Sequence, residues 1–473
     1  MTDPGAPWPA LASLCHQLRR GETSAVELVE RCHERIAALD PELHAVLATD
    51  PGAAAQARAA DRRYARGRAR PLDGVPVLVK DNIDTRGLAG TAGSPLLAAA
   101  PPPRTDAGVV ALLRGAGAVM VGKTNLSEWG NYRSVRGIEG WSGVGGQTWN
   151  PHAAGYSPAG SSSGSAVAVA AGLAPLAVGT ETDGSVVCPA AVTGVVGVAP
   201  ERGLLPLAGI VPVSPALDTP GMFTGCVDDA VAVLAALGGG PRVRVPVPAQ
   251  LRLGVWPGHL MHPAAERAVD RVAARLGALG AVVRPVELTL DLEVFRGALD
   301  ALAAEFRPAL EAYLATRRGG PSTLAALIEG NRGLPAPFGQ DLFERAQAVT
   351  GRRRAAAAGK RARARHWARG VLGEALASQG ISAIIAPTSD PAWRVDHSRG
   401  DGPARNTSTL PALAGFPHVT VPAGTHGSLP VGVSVFGPAS TADVLAIAGA
   451  IEAVCGARPL PQVVRGYRPR PVP

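Results

Sequence analysis

Two serine-containing turns, "AGSSSGS" and "TDGSVV", lie within residues 159–187 and are separated by a run of small residues. Glycine and other small residues leave the backbone accessible, so such turns either pack closely against other backbone or bring main-chain N–H groups to a ligand. A serine becomes a nucleophile when a base removes its proton. The two turns are therefore candidates for a catalytic site.

A lysine is one candidate for the base. The chain has 46 lysine and arginine side chains, and only Lys80, Lys123 and Lys360 are lysines. Lys80 ends the apolar run "GVPVLVK", where burial would lower the pKa of its ammonium group, and lysine, unlike arginine, can then act as a neutral general base. The alternative is that Lys80 only ends a strand at the surface, which is also the prediction for Lys123.

Two further motifs suggest other chemistry. Residues 117–124, "GAVMVGKT", match the phosphate-loop pattern, but "AVMV" is typical of a strand, whose N–H groups cannot cradle phosphate. Residues 160–164, "GSSSG", match the nucleophile elbow of Ser-His-Asp hydrolases centred on Ser162, yet the preceding segment is broken by proline and glycine instead of forming a strand. The acid and base of such a triad would come from Asp396, His397, His418 and His426.

Composition favours an α/β enzyme. Apolar residues make up 46% of the chain and aromatic residues 4%, so the core must consist of Ala, Val and Leu in closely packed helix and sheet layers. The net charge of +8 comes mostly from scattered arginines, and the dense basic run at residues 352–370 is expected to be the solvated face of a long helix. Nucleic-acid binding is not predicted.

The cysteine pattern bears on compartment and cofactors. The five cysteines are unclustered and contain no CxxC pair, which argues against a disulfide framework or a structural zinc site. No His, Cys, Asp and Glu cluster has metal-ligand spacing, so neither a metal nor a cofactor is predicted. With no signal peptide and no membrane-spanning segment recognised, we expect a cytoplasmic protein without membrane association.

The distribution of apolar residues predicts the order of elements. Residues 8–66 have the pattern of helices, with a capping box at Ser24 and Glu27. Short apolar runs alternating with glycine-rich turns between residues 70 and 230 predict the strands of a mostly parallel or mixed sheet, and strand signals return after residue 380. Residues 290–378 between them are predicted to be a helical cover on the sheet.

Several of these blocks resemble the amidase signature family of serine hydrolases, which use a Ser-Ser-Lys triad. The resemblance lies in "LVKDNID", "GAVMVGKTNLSEWGN", "SPAGSSSGSAVAVAAGLAPLAVGTETDGSVVCPAA", "LDTPG" and "IIAPTSDPAW", and is greatest to the bacterial peptide amidases. It implies one amidase domain over residues 1–473, an α/β fold whose large mixed sheet is covered by helices on both faces. Residues 1–66 and 290–378 would be its N-terminal helices and helical cover.

The resemblance also implies a set of catalytic residues. Ser185 would be the nucleophile, Ser161, held on a non-proline cis peptide, the bridging serine, and Lys80 the base. The oxyanion hole would be formed by the backbone N–H groups of Thr182, Asp183, Gly184 and Ser185. Val187 stands where relatives that act on acidic substrates carry an arginine, so no charge clamp is expected there.

The resulting prediction is an amidase that hydrolyses a neutral carboxamide, either a peptide C-terminal amide or a small amide. It would act as a monomer or homodimer on a peptide or small-molecule substrate. Three alternatives remain: a glutaminase-type component of an amidotransferase, a Ser-His-Asp esterase-like hydrolase, and a binding or regulatory protein without activity.

Overall fold

Strands from distant parts of the chain form one sheet. The computed structural model describes residues 7–238, 243–401 and 405–461. In chain order the strands of these residues are β1 (Val46–Thr49), β2 (Pro76–Lys80), β3 (Val119–Thr124), β4 (Trp141–Ser142), β5 (Gly146–Gln147), β6 (Leu176–Glu181), β7 (Val196–Ala199), β8 (Thr219–Thr224), β9 (Arg252–Val255), β10 (Val282–Pro285), β11 (Ala383–Pro387), β12 (His418–His426) and β13 (Leu429–Phe436).

The sheet is mixed. Its eleven strands lie in the order β1-β3-β2-β6-β8-β7-β12-β13-β11-β9-β10, while β4 and β5 form a separate antiparallel pair. Strands β3, β2 and β6 are parallel, as are β11, β9 and β10, and antiparallel pairs join these two groups through the centre. The parallel group that contains β2 and β6 carries the candidate catalytic residues.

Helices precede, connect and follow these strands. In the described residues they are α1 (Leu11–Arg20), α2 (Ala25–Leu43), α3 (Ala53–Ala65), α4 (Pro95–Ala98), α5 (Gly108–Ala116), α6 (Ser163–Ala170), α7 (Val187–Thr193), α8 (Val227–Ala236), α9 (Pro263–Ala278), α10 (Leu292–Leu314), α11 (Leu324–Asn331), α12 (Asp341–Gln347), α13 (Gly351–Ala355), α14 (Ala357–Gln379), α15 (Thr409–Ala414) and α16 (Thr441–Cys455).

The side chains of β11 show that both faces of the sheet are covered. Ala383 and Ile385 belong to the largest apolar cluster, whereas Ile384 and Ala386 belong to a second cluster that includes residues of α10 and α14. Successive side chains of a strand point to opposite faces, so the two clusters lie on the two sides of the sheet. The predicted α/β fold with a large, helix-covered mixed sheet is confirmed.

The N-terminal 66 residues differ from the prediction in one element. The capping box is present, because the Ser24 hydroxyl accepts from the Glu27 N–H and the Glu27 carboxylate accepts from the Ser24 N–H. The all-helical prediction for residues 8–66 is wrong at β1, which pairs antiparallel with β3. A four-residue strand at the sheet edge is stabilised by this long-range pairing, and its local sequence gives little signal of it.

Strand β8 was also missed by sequence analysis. Its sequence, "TPGMFT", contains a Pro-Gly pair that predicts a turn, yet it pairs with both β6 and β7 in the middle of the sheet. The other sheet strands β2, β3, β6, β7 and β9–β13 coincide with predicted apolar runs.

The helical block at residues 290–378 consists of α10–α14. The basic run at residues 352–370 falls on α13 and α14, and most of its arginines are exposed as expected. Arg361 is the exception, since it is buried and forms an ion pair with Glu305 of α10.

Candidate active site

Lys80 is the last residue of β2 and is completely buried. Its Nζ atom lies 2.9 Å from the Oγ atoms of both Ser161 and Ser162, and 3.0 Å from Oγ1 of Thr180. Burial lowers the pKa of the Lys80 ammonium group to about 7, against the opposing charge of Glu139. The alternative of a surface lysine is therefore wrong, and the side chain can be neutral near neutral pH.

The first serine turn brings Ser161 to this lysine. The Gly160–Ser161 peptide bond is cis, and the main-chain carbonyl of Ser161 accepts a hydrogen bond from the Ser127 N–H at 3.0 Å. Alanine at position 160 would place its Cβ 2.1 Å from Oε2 of Glu139 and 2.3 Å from Oγ of Ser127. Glycine at this position is thus required by the close approach of neighbouring side chains.

The second serine turn follows β6 and leads into α7. Gly184 has φ of +82°, and the Ser185 carbonyl accepts from the Ser162 N–H at 3.1 Å, which joins the two turns directly. Ser185, Gly184 and Gly160 all line one cavity of about 350 Å³. The structure therefore brings the two serine turns and Lys80 to one site.

A buried carboxylate shapes the second turn. Glu181 accepts from the N–H groups of Val186 at 2.7 Å and Val187 at 3.0 Å, and burial raises its pKa to about 7. Within the described chain, the N–H groups of Thr182, Asp183 and Ser185 form no hydrogen bond with a protein acceptor. These donors are available to a ligand, whereas the Gly184 N–H also contributes to lowering the pKa of Glu181.

Side chains of the same turn are held from outside it. The Thr182 hydroxyl donates to the buried Asp218 carboxylate at 2.6 Å, and Asp218 also accepts from the N–H groups of Val213 and Ser214. Asp183 accepts from the hydroxyls of Ser408 and Thr409. Sequence analysis quoted the "LDTPG" block that contains Asp218 but assigned this residue no part in the site.

Glu139 is a second residue that sequence analysis missed. It lines the cavity and accepts hydrogen bonds from Oγ of Ser127 at 2.6 Å and Nδ2 of Asn131 at 3.0 Å. Burial raises the pKa of its carboxyl group to about 7. No local pattern in "RGIEGW" marks this glutamate, because its burial depends on the cis turn that packs against it.

Ser162 is unsuited to the role of nucleophile. Its side chain is completely buried, accepts from the Thr180 N–H at 3.2 Å and donates to the Thr180 carbonyl at 3.0 Å, besides contacting Lys80. The proposed triad partners lie elsewhere. His418 bonds Ser434, His397 bonds Gln147, His426 packs on His262, and Asp396 pairs with Arg399. A Ser162-centred triad is not formed.

The phosphate-loop motif also belongs to the core. Residues Val119–Thr124 form β3, and Lys123 is buried instead of lying at the surface as predicted. Its Nζ atom lies 3.6 Å from Asp81 and donates to the carbonyl of Ile83. A strand with a paired lysine leaves no free N–H groups for a phosphate.

Val187 does not line the cavity. It is completely buried and packs in an apolar cluster with Ala159, Val192 and Ala199, so its side chain cannot contact a substrate. Arg345 and Cys188 reach the cavity instead. Arg345 is the one basic side chain among the described cavity-lining residues, and it is paired with Asp300 at 2.8 Å.

The described residues offer neither a metal-ligand cluster nor a membrane-spanning helix. Across residues 7–238, 243–401 and 405–461, no group of three or more His, Cys, Asp or Glu side chains could hold a metal ion. None of the described helices is long and apolar enough to cross a membrane.

Comparisons with known proteins agree with this geometry. The family model described as Amidase matches residues 27–444. The crystal structure of native peptide amidase from Stenotrophomonas maltophilia is 39% identical and superposes with a TM-score of 0.88 over 96% of this chain and 98% of its own. Two curated relatives are 34% identical: a glutamyl-tRNA(Gln) amidotransferase subunit of Salinispora arenicola, with 94% of this chain and 97% of the relative aligned, and mandelamide hydrolase of Pseudomonas putida, with 94% and 91%.

Proposed function

The chain belongs to the amidase family, and from this premise we propose that it hydrolyses the C–N bond of a neutral carboxamide through an acyl-enzyme on Ser185. The observation that carries the proposal is the 2.9 Å contact between Nζ of Lys80 and Oγ of Ser161, next to a cavity that Ser185 lines. A base, a relay hydroxyl and a partly exposed hydroxyl are the groups that amide cleavage needs.

In the proposed first half-reaction, neutral Lys80 takes a proton from Ser161 while Ser161 takes the proton of Ser185. The Ser185 oxygen attacks the amide carbon, and the carbonyl oxygen becomes an oxyanion that accepts from N–H groups of the turn at residues 182–185. The tetrahedral intermediate then loses its C–N bond. The proton returns from Lys80 through Ser161 to the leaving nitrogen, which departs as ammonia or an amine.

In the second half-reaction, water replaces the amine. Lys80, through Ser161, accepts a proton from the water that attacks the Ser185 ester, and the proton then returns to the Ser185 oxygen as the acid is released. No metal or cofactor takes part in either step of this proposal.

The substrate we propose is an uncharged amide, with peptide C-terminal amides as the first candidates. Leu299, Leu302, Leu342 and Trp393 line one part of the cavity and favour apolar acyl groups. The peptide amidase of S. maltophilia, which covers nearly the whole chain at 39% identity, supports the choice of peptide amides.

A hydrolysis screen tests the proposal. Peptide amides, aryl amides, aliphatic amides and esters are compared, with Ser185→Ala as the blank, and a fluorophosphonate probe is mapped by mass spectrometry. We expect amide turnover and a single labelled site at Ser185. Absence of both in the folded wild-type protein would favour the alternative of a binding or regulatory protein, and labelling at Ser162 would contradict the assigned nucleophile.

A component of an amidotransferase is the second candidate, because the amidotransferase subunit of S. arenicola is 34% identical over nearly the full length of both chains. This function would require partner proteins for full activity. Affinity purification from the source cells, followed by glutamine hydrolysis with and without any copurified proteins, separates the two. Glutaminase activity that depends on a stable partner would replace our proposal.

We also propose a cytoplasmic monomer or homodimer. All five cysteines are free, which suits a reducing compartment. Light scattering of the purified protein tests the assembly state, and cell fractionation tests the location.

A further inference from the structure

A groove of about 740 Å³ lies between α14, α10 and the loop after β7, outside the amide site. Four arginines line it: Arg202 from the loop and Arg361, Arg365 and Arg369 from α14. The three helix residues are spaced four apart, so they lie on one face of α14. We call this feature the arginine groove.

The arginine groove has one carboxylate for its four guanidinium groups. Glu305 of α10 accepts from Nε and Nη2 of Arg361 at 3.2 and 3.1 Å, and also from the Ser214 hydroxyl. Its charge is therefore committed to Arg361. Arg202 donates to the carbonyl of Ala216 and Arg369 donates to the carbonyl of Ala414, but these neutral acceptors do not compensate a positive charge.

Donor atoms in the arginine groove also lack partners. Arg361 is 8% exposed, yet its Nη1 atom has no hydrogen-bond partner within the described protein, and neither does the buried Nε atom of Arg365. Buried polar atoms in native proteins are almost always satisfied by protein or by a bound species. The vacant donors therefore indicate that an acceptor binds here.

The arginines also disfavour one another. Burial lowers the pKa of Arg202, and the charges of Arg365, Arg369 and Arg361 lower it further, opposed by Glu305. Burial and the charge of Arg369 lower the pKa of Arg365. An anion in the groove would relieve this repulsion and restore favourable charge pairing.

We propose that the arginine groove binds a phosphate-type oxyanion, either free inorganic phosphate or the phosphate group of a small metabolite. Guanidinium groups match the spacing of phosphate oxygens and form paired, charge-assisted hydrogen bonds with them. The volume exceeds that of one ion and leaves room for a small organic substituent on the phosphate.

The test measures phosphate binding by calorimetry and by the shift of the thermal midpoint, with sodium chloride holding ionic strength constant. Inorganic phosphate and phenyl phosphate are titrated separately, which distinguishes a free ion from a phosphomonoester. We expect binding to the wild type, and at least about tenfold weaker binding to Arg365→Gln and Arg369→Gln, because each loses a charge-assisted contact.

The matched control is Arg363→Gln, an exposed arginine of the same helix that does not line the groove. It removes the same charge and should bind phosphate like the wild type. Arg365→Gln should also have a higher thermal midpoint than the wild type without phosphate, because repulsion is relieved, and a smaller midpoint increase on adding phosphate. This pair of shifts distinguishes a folded variant from a damaged one.

Three results would overturn the proposal. The first is no phosphate binding by the wild type under these conditions. The second is equal weakening in Arg363→Gln, which would indicate general charge attraction. The third is tight binding of an RNA oligonucleotide through these arginines without any binding of either small phosphate.

Discussion

Lys80 and Lys123 end neighbouring parallel strands and are both buried, but their surroundings assign them different roles. Burial lowers the pKa of Lys123, and the charges of Asp81 and Asp84 oppose that shift, which keeps an ion pair in the core. Lys80 instead has hydroxyl groups as its nearest partners and a pKa of about 7. Only Lys80 can exchange a proton with a serine.

The first prediction concerns this exchange. Replacing Lys80 by Arg should lower kcat/KM as much as replacing it by Ala, by about 10²-fold or more, because a guanidinium group does not release a proton near neutral pH. Lys360→Arg, on the exposed side of α14, is the matched control and should retain full activity. A fully active Lys80→Arg enzyme would show that the base lies elsewhere.

The second prediction is a pH profile. Below about pH 7 Lys80 becomes charged and kcat/KM should fall. The Glu139 carboxylate raises the pKa of Lys80, so Glu139→Gln should move this acid limb to lower pH. The exposed Glu374→Gln variant should leave the profile unchanged. A limb that stays in place in Glu139→Gln would contradict the coupling between Lys80 and Glu139.

The third prediction separates the serines. Ser185→Ala should abolish acyl-enzyme formation, with a rate loss on the order of 10⁴-fold or more, and Ser161→Ala should remain folded with a large loss of rate. Ser162→Ala should lower the thermal midpoint, because it leaves the Thr180 N–H and carbonyl without their partner, but should still form the acyl-enzyme. Burst kinetics and mass spectrometry measure the acyl-enzyme; its persistence in Ser185→Ala would assign the nucleophile to another residue.

At the scale of elements, the site depends on three segment ends that meet. The end of β2 supplies Lys80, the start of α6 supplies Ser161, and the β6–α7 turn supplies Ser185. Helix α6 is completely buried and contains mainly small residues, which allows it to lie close to β2, β3 and β6. Close packing of α6 thus fixes the distance between the two serine turns.

The fourth prediction tests this packing. Alanine at Gly164 of α6 would place its Cβ 2.3 Å from the Ala45 carbonyl oxygen and 2.7 Å from backbone atoms of Asn125, so Gly164→Ala should lower the free energy of unfolding by about 1–3 kcal/mol. Gly373→Ala in α14 meets no atom within 4 Å and should raise it by about 0.5–1 kcal/mol, because alanine favours helix. Thermal unfolding of both variants provides the comparison. A stable Gly164→Ala protein would mean that α6 can shift.

At the scale of the whole molecule, charge around the cavity determines which substrates are accepted. Arg345 is neutralised by Asp300, which is also paired with Lys360, and the cavity walls carry Glu139 and Asp183. A carboxylate entering this cavity would therefore lose hydration without gaining an unpaired cation. The arginine groove, in contrast, concentrates positive charge away from the amide site.

The fifth prediction follows from that charge distribution. For a matched pair of amides that differ by one carboxylate, kcat/KM should be at least about tenfold higher for the neutral one. The same pair is measured with Arg345→Gln, which should change the ratio little if Asp300 neutralises the arginine. Equal rates in the wild type, with selective loss of the acidic amide in Arg345→Gln, would identify Arg345 as a carboxylate clamp.

Local sequence was sufficient for most elements and for the choice of candidate groups. Apolar runs bounded by glycine predicted β2, β3 and β6, and the scarcity of lysine singled out Lys80. These features depend on residues that are neighbours in the chain, so periodicity and composition indicate them. The catalytic roles of Lys80, Ser161 and Ser185 stay predictions, resting on a resemblance and on the geometry that brings the residues together.

Tertiary structure alone decided which side chains face the site. Lys123 and Val187 were placed at the surface and near the substrate by sequence reasoning, yet both are completely enclosed in the core or nearly so. Glu139 and Asp218 reach the site from loops whose positions depend on contacts with distant segments. Strands β1 and β8 are likewise stabilised by partners far along the chain. Local propensity contains no information about such long-range packing, because the neighbours that bury a residue are chosen only when the sheet assembles.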